Sequence, residues 1–284
     1  MAAVITLTTD FGLSDAYVAV MKGVILSTNP EANIIDITHS IEPRNIRQAA
    51  FILNTAYRHF PKQTVHVAIV DPGVGSERQG IILKTPSALF VAPDNGILSY
   101  VIDDLRPREG HYEGRLAQYP ERLETVTLMK GLEAVAITDP RFWRHPVSPT
   151  FHGRDIFAPV AAGLSLGISP YEFGDKSYSL HVFPVSQPIL DSQGDLTGQI
   201  VHVDCFGNLI TDIKSSDLPH RDIIVQAGGE YIEGLNRYYD EGEGLMAIIG
   251  SSGYLEISLK NGRASEFLGM ALGDEMKVIL RSND

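Results

Sequence analysis

Three short apolar, β-branched runs, Val4–Thr8, Asn33–Thr38 and Val65–Val70, are separated by two helical stretches. This βαβαβ order makes a parallel sheet with right-handed crossovers the natural topology. The first helix is expected to be capped by Ser14 or Asp15 and to run from about Ala16 to Ser27. Tyr17, Val18, Met21 and Ile25 then share one face, and Asn29-Pro30 ends it. The second opens at Asn45, runs from Ile46 to about Phe60 and stops at Pro61. Each apolar run finishes in polar residues: Asp10, His39 with Ser40, and Asp71. Parallel strands place these ends along one sheet edge, where ligands bind in open α/β folds. Singly, each is an ordinary cap or turn former; together they mark a candidate site.

The third run leads into Val70–Gly80, VDPGVGSERQG. An apolar strand stopped by Asp-Pro-Gly reads as a buried strand ending in a tight turn. Gly73 and Gly75 let backbone approach a ligand, and Arg78 can return over the pocket that Asp71 opens. A plain strand and turn with a solvated Asp and Arg is the simpler reading of this stretch alone.

Further strands are expected at Ile81–Thr85 and Leu89–Ala92, with Pro93-Asp94-Asn95-Gly96 starting a helical turn. Residues 104–150 carry only short apolar pieces, Val126–Met129 and Ala134–Ile137. Phe151-His152-Gly153-Arg154-Asp155 precedes an amphipathic helix from about Ile156 to Leu166, so His152 stands at a helix entrance. From about Val182 to Gly194 the chain reads as a linker. Beyond it, Leu196–Val203, Asn208–Ile213, Asp222–Ala227, Leu245–Ile249, Tyr254–Leu259 and Glu275–Leu280 are strand-like, with no intervening helices. That spacing suggests a small β-barrel or sandwich. The expected architecture is an α/β N-terminal domain with a mainly parallel sheet (1–181), a linker (182–194) and a C-terminal all-β barrel (195–284).

The second domain holds two distinctive stretches. Asp204-Cys205-Phe206-Gly207-Asn208 interrupts a strand with a glycine turn; Asp204 can accept from an amine and Asn208 can donate and accept. Gly250-Ser251-Ser252-Gly253 exposes backbone N–H groups and two hydroxyls, which suits a carboxylate or phosphate. Both are also ordinary β-turn chemistry.

The formal charge of −12 and the lack of a basic stripe argue against a nucleic-acid partner. No apolar stretch approaches the roughly 18–20 residues that span a bilayer. The N-terminus has no basic n-region and reads as a strand, not a signal peptide. The single cysteine, Cys205, suits a reducing cytoplasm and reads as a small hydrophobe. No CxxC, HExxH or other metal spacing is present.

The ordered set TTDFG (8–12), DITHSI (36–41), VDPGVG (70–75), APDNG (92–96), FHGRDIFAPVAA (151–162), DCFGNLITD (204–212) and GSSGYLEI (250–257) resembles the S-adenosyl-L-methionine hydroxide adenosyltransferases, or SAM hydrolases. These are the sister group of the fluorinase and chlorinase that make 5′-halo-adenosines. The resemblance spans nearly the whole chain. It implies an α/β domain joined to a β-barrel. It implies homotrimers that hold S-adenosylmethionine between the N-terminal domain of one subunit and the C-terminal domain of the next. It implies a catalytic triad of Asp71, Arg78 and His152 beside the substrate's C5′, where the halogenases carry other residues. Asp10 matches the aspartate that holds the ribose hydroxyls. Asp204 and Asn208 match residues around the methionine amino group, although the Asp-to-Asn spacing is one residue shorter than in the fluorinase. Ser251 matches a serine on the methionine carboxylate. Arg44 replaces a tryptophan that packs near the ribose in the fluorinase, so that contact is not carried over.

What the resemblance implies is hydrolysis of S-adenosylmethionine to adenosine and methionine. The sulfonium already activates C5′, so a nucleophile is what the reaction lacks. Arg78 would favour hydroxide over water, Asp71 would accept a proton or orient the water, and His152 would relay the proton. On that mechanism Asp71, facing Arg78 and a sulfonium, would orient the water, and Arg78 would do most of the activation. The resemblance implies S-adenosylmethionine as the substrate, with no cofactor or metal. The competing classes are a halogenase, against which Asp71 and His152 argue, a non-catalytic S-adenosylmethionine or nucleoside sensor, and a metal-dependent hydrolase.

Overall fold

The computed structural model describes residues 3–106, 114–116, 122–218 and 222–280. The chain divides into two compact units between Phe183 and Pro184, and residues 114–116 belong with the second.

The first unit opens with β1 (Val4–Thr9), α1 (Tyr17–Thr28), β2 (Asn33–Thr38), α2 (Ile46–Tyr57) and β3 (Thr64–Ile69). β4 (Gly80–Lys84), β5 (Ala88–Pro93) and α3 (Ser99–Asp104) follow. Next come β6 (Glu124–Thr127), β7 (Glu133–Ala136), a π-turn at Gly153–Phe157, α4 (Ala158–Ser165), β8 (Lys176–Ser177) and β9 (Ser179–Val182). The main sheet has the order β2-β1-β3-β5-β4-β7-β8. β2, β1, β3 and β5 pair in parallel, as the βαβαβ pattern requires. β4, β7 and β8 continue the sheet antiparallel, so the sheet is mixed. β6 pairs with β9 separately.

Strand side chains alternate between two cores. Ile5, Leu7, Val65, Val67 and Ile69 pack with Met21 and Ile25 of α1 and with α4. Ala68, Val70 and Phe90 face the other way, onto Ala49, Leu53 and Tyr57 of α2 and Val101 and Ile102 of α3. The Asn45 side chain caps α2 by accepting the Gln48 N–H. Neither Ser14 nor Asp15 caps α1: Ala16 holds that position, with no side-chain bond. The register sets Thr9 beside Ile69 and Thr8 beside Thr38, so Asp10, Asp71 and His39 emerge from neighbouring strand ends.

The second unit holds β10 (Ile189–Leu190), β11 (Leu196–Val203), β12 (Leu209–Lys214), β13 (Ile223–Ala227), β14 (Glu230–Glu233), β15 (Leu245–Ile249), β16 (Tyr254–Leu259), α5 (Ala264–Leu268) and β17 (Glu275–Leu280). β10 lies within the stretch read as a linker and pairs with β11. The remaining strands form an antiparallel sheet, β14-β13-β17-β11-β12-β16-β15. It curls until the Asn236 N–H, just past β14, reaches the Ala247 carbonyl of β15 at 2.8 Å. This nearly closed barrel encloses a core that includes Ile200, Leu209, Ile213, Val225, Leu255 and Ile257. Among the described residues no helix is long and apolar enough to cross a membrane.

Candidate active site

Asp71 follows β3 by one intervening residue, and the chain turns back twice to return Arg78 over it. Val74 N–H bonds the Asp71 carbonyl at 3.2 Å, and Ser76 N–H bonds the Gly73 carbonyl at 3.0 Å. Asn95 of the APDNG segment donates to the Val70 carbonyl at 2.9 Å and so fixes the strand end. Arg78 grips Asp71 in a fork: Nε donates to Oδ1 at 2.9 Å, and Nη2 donates to Oδ2. Only 11% of the Arg78 side chain and 6% of the Asp71 side chain are exposed, so solvent screens this pair little.

His152 closes the cluster, its Nδ1 standing 2.9 Å from Arg78 Nη2. A guanidinium only donates, so Nδ1 accepts and the ring is neutral with its proton on Nε2. Burial, then the positive charge of Arg78, hold His152 below its ordinary range, which agrees with the neutral ring. The three predicted residues therefore meet, with Arg78 bonded to both others.

Asp155 organises the loop beneath. Its fully buried carboxylate accepts from Arg154 Nε and Nη2 at 2.7 Å each, from Ser148 N–H at 2.9 Å and from Arg144 Nη1 at 3.4 Å. Burial raises its proton affinity, but these donors outweigh it and keep the carboxyl below the usual range. The loop so pinned carries Pro149, whose carbonyl lies against Gly75.

Asp10 accepts the Arg44 N–H with Oδ2 at 2.9 Å; Oδ1 has no partner among the described residues. Arg44 holds φ +69°, which aims that N–H. The adjoining Phe11 ring lies 5.9 Å from Phe151, the neighbour of His152, so the two site-bearing segments pack together. His39 does not join them. Its Nδ1 meets Thr9 Oγ1 at 2.8 Å and its Nε2 lies 3.0 Å from Asp36 Oδ1, so it braces β1 against β2.

In the second unit the Asp204 carboxylate folds its own loop. Oδ1 accepts from Phe206 N–H at 2.9 Å and Asn208 N–H at 2.8 Å, and Oδ2 accepts from Asn208 Nδ2 at 2.9 Å. Asp204 and Asn208 are thus brought together. Ser251 lies exposed in the turn closed by Gly253 N–H on the Gly250 carbonyl at 2.9 Å. Sequence reasoning missed Glu256, a buried β16 residue whose carboxylate would overlap any β-carbon placed on Gly250. Tyr239 donates to its Oε2 at 3.0 Å. Burial raises the Glu256 carboxyl; the Tyr239 bond opposes this and the Asp204 charge adds to it. Burial, with the Glu256 and Asp204 charges, pushes Tyr239 up to about 12. The signal was there: GSSGYLEI places a Glu in an otherwise apolar strand. Among the described residues no three His, Cys, Asp or Glu are grouped to hold a metal ion.

An α/β unit with an Asp–Arg–His cluster at a strand end, followed by an antiparallel barrel, is the class of architecture defined here. The SAM hydroxide adenosyltransferase N-terminal domain matches residues 5–174, and the C-terminal domain of the same family matches residues 198–277. The chain belongs to the SAM hydroxide adenosyltransferase family. It is 33% identical to an (R)-S-adenosyl-L-methionine hydrolase of Methanocaldococcus jannaschii, over 97% of this chain and 95% of that protein. A crystal structure of an uncharacterized conserved protein from Thermotoga maritima shares 34% identity, with a TM-score of 0.82 over 97% of this chain and 99% of that one. A fluorinase of Nocardia brasiliensis is more distant, at 26% identity over 76% of this chain and 72% of that protein.

Proposed function

We propose that this protein hydrolyses S-adenosyl-L-methionine to adenosine and L-methionine. The observation that carries this reading is the near-full-length similarity to a named (R)-S-adenosyl-L-methionine hydrolase, at 33% identity against 26% for the fluorinase. The geometry supports how the reaction would run. Water attacks C5′ opposite sulfur; the C5′–O bond forms as the C5′–S bond breaks, and its electron pair stays on sulfur. One proton passes from the attacking water to solvent. Arg78 polarises the water and stabilises the developing hydroxide. Asp71 holds the guanidinium in plane and orients the water. With Nδ1 accepting from Arg78, His152 is neutral and carries its proton on Nε2.

Asp10 is suited to ribose hydroxyls, Asp204 with Asn208 to the methionine ammonium, and the Ser251 turn to its carboxylate. The reading includes a homotrimer in which one subunit's N-terminal unit and the next subunit's C-terminal unit complete each pocket. It also includes a cytoplasmic setting and a reaction without added cofactor or metal.

Incubation with S-adenosylmethionine, with and without chloride or fluoride, tests it by chromatography. Equal adenosine and methionine, indifferent to halide and to chelator, are expected. A halide-dependent nucleoside would make it a halogenase, intact bound substrate a sensor, and loss of activity with chelator a metal-dependent hydrolase.

A further inference from the structure

His152 and Phe157 stand at the two ends of the π-turn, five residues apart. In a regular α-helix such residues point about 140° away from each other. Here Ala158 N–H bonds the Gly153 carbonyl, an i→i−5 bond that widens the turn and brings positions five apart toward one side. Pro159 explains why the chain does this. It lacks the N–H that would bond the Asp155 carbonyl in an α-helix. Arg144 N–H takes that carbonyl at 2.8 Å instead.

Both ends of the widened turn reach the same guanidinium. His152 Nδ1 lies 2.9 Å from Arg78 Nη2, and Arg78 Cζ sits 5.3 Å from the centre of the Phe157 ring. Phe157 is fully buried. Its seat depends on Gly80, where a β-carbon would come within 2.8 Å of Phe157 Cε1. Asp71 thus holds Nε and Nη2, His152 shares Nη2, and Cζ lies over the Phe157 ring. Nη1 is the one nitrogen left without a partner among the described residues.

We propose that Phe157 is a positioning residue for hydrolysis: its ring, under Cζ, steadies the Arg78 guanidinium in the Asp71 fork so that Nη1 faces the attacking water. The inference rests on the reading of Arg78 as the group that polarises that water. A misplacement of about 1 Å at a reacting centre costs up to about a hundredfold in rate.

The test replaces Phe157 by 4-fluoro-, 3,5-difluoro- and 3,4,5-trifluorophenylalanine, which keep its shape while draining the ring face of negative charge. In the full-length protein kcat is expected to fall stepwise, about ten-fold across the series, with KM for S-adenosylmethionine held. In an Arg78→Lys background, whose ammonium keeps the charge but has no Nη1 to aim, the same series is expected to lower kcat at most about two-fold. An unchanged kcat across the series in the active native protein overturns the proposal, and so does an equal decline in both backgrounds. Failure of the underlying reading shows separately, as a native protein that yields no adenosine or an Arg78→Lys variant of full activity.

Discussion

A β-carbon on Gly75 would stand 2.5 Å from the carbonyl oxygen of Pro149. The turn that returns Arg78 to Asp71 therefore packs with no spare room on the loop that Asp155 pins. Gly75 also sits at φ +79°, where any other residue is strained. Gly75→Ala is expected to cost about 1–3 kcal/mol, to lower Tm by several degrees and to depress kcat. Calorimetry and steady-state kinetics on one preparation check this; native Tm and rate would mean that the two loops are not held against each other.

Arg78 uses two nitrogens on Asp71 and shares one of them with His152. A lysine keeps the charge but cannot reproduce the fork. Arg78→Lys is expected to lower kcat about a hundredfold while titration calorimetry finds S-adenosylmethionine bound nearly as before. Arg78→Ala should remove turnover and still bind. Unchanged turnover in the alanine variant would take the cluster out of the mechanism.

Two histidines contribute to the response to acid. Burial takes His66 down to about 4, below its ordinary 6.5, while Nδ1 meets Thr6 Oγ1 at 2.7 Å. The unfolded chain thus binds the extra proton first. The His66 contribution to stability is full above about pH 6.5 and falls toward pH 4, a loss of about 2 kcal/mol between pH 7 and 5. His66→Phe should flatten that slope in urea unfolding. His152, lowered by burial and by Arg78, has the same sign. The rate should stay level as pH falls through about 6.5 and drop only once protonation removes the acceptor from Arg78. A rate that halves at pH 6.5 would contradict the neutral-ring geometry.

Asp204 should act on binding. On the proposed reading, Asp204→Asn removes the charge that would meet the substrate's ammonium and keeps one oxygen for the Phe206 and Asn208 N–H groups. KM is expected to rise about ten-fold with kcat held. Loss of kcat at constant KM would place Asp204 elsewhere in the reaction.

Much of this site was legible as chain punctuation. Asp10 and Asp71 end apolar runs, and the βαβαβ order puts those ends on one edge. Asn45 stands where a helix start needs an acceptor. What escaped depends on groups distant in sequence. The Ile156–Leu166 helix begins as a π-turn because the carbonyl that Pro159 leaves open finds Arg144. His39 turns from the site because Thr9 Oγ1 bonds its Nδ1, with Asp36 beside its Nε2. Glu256 reads as an anomaly in a strand until the fold lays Gly250 against it. The antiparallel half of the sheet follows from β4 folding back on β5, which a run of strands does not announce.

The most direct measurement runs the reaction in H2¹⁸O and weighs both products. Attack of water on C5′ predicts one ¹⁸O in the 5′-hydroxyl of adenosine and none in methionine. Unlabelled adenosine, or label in methionine, would contradict it.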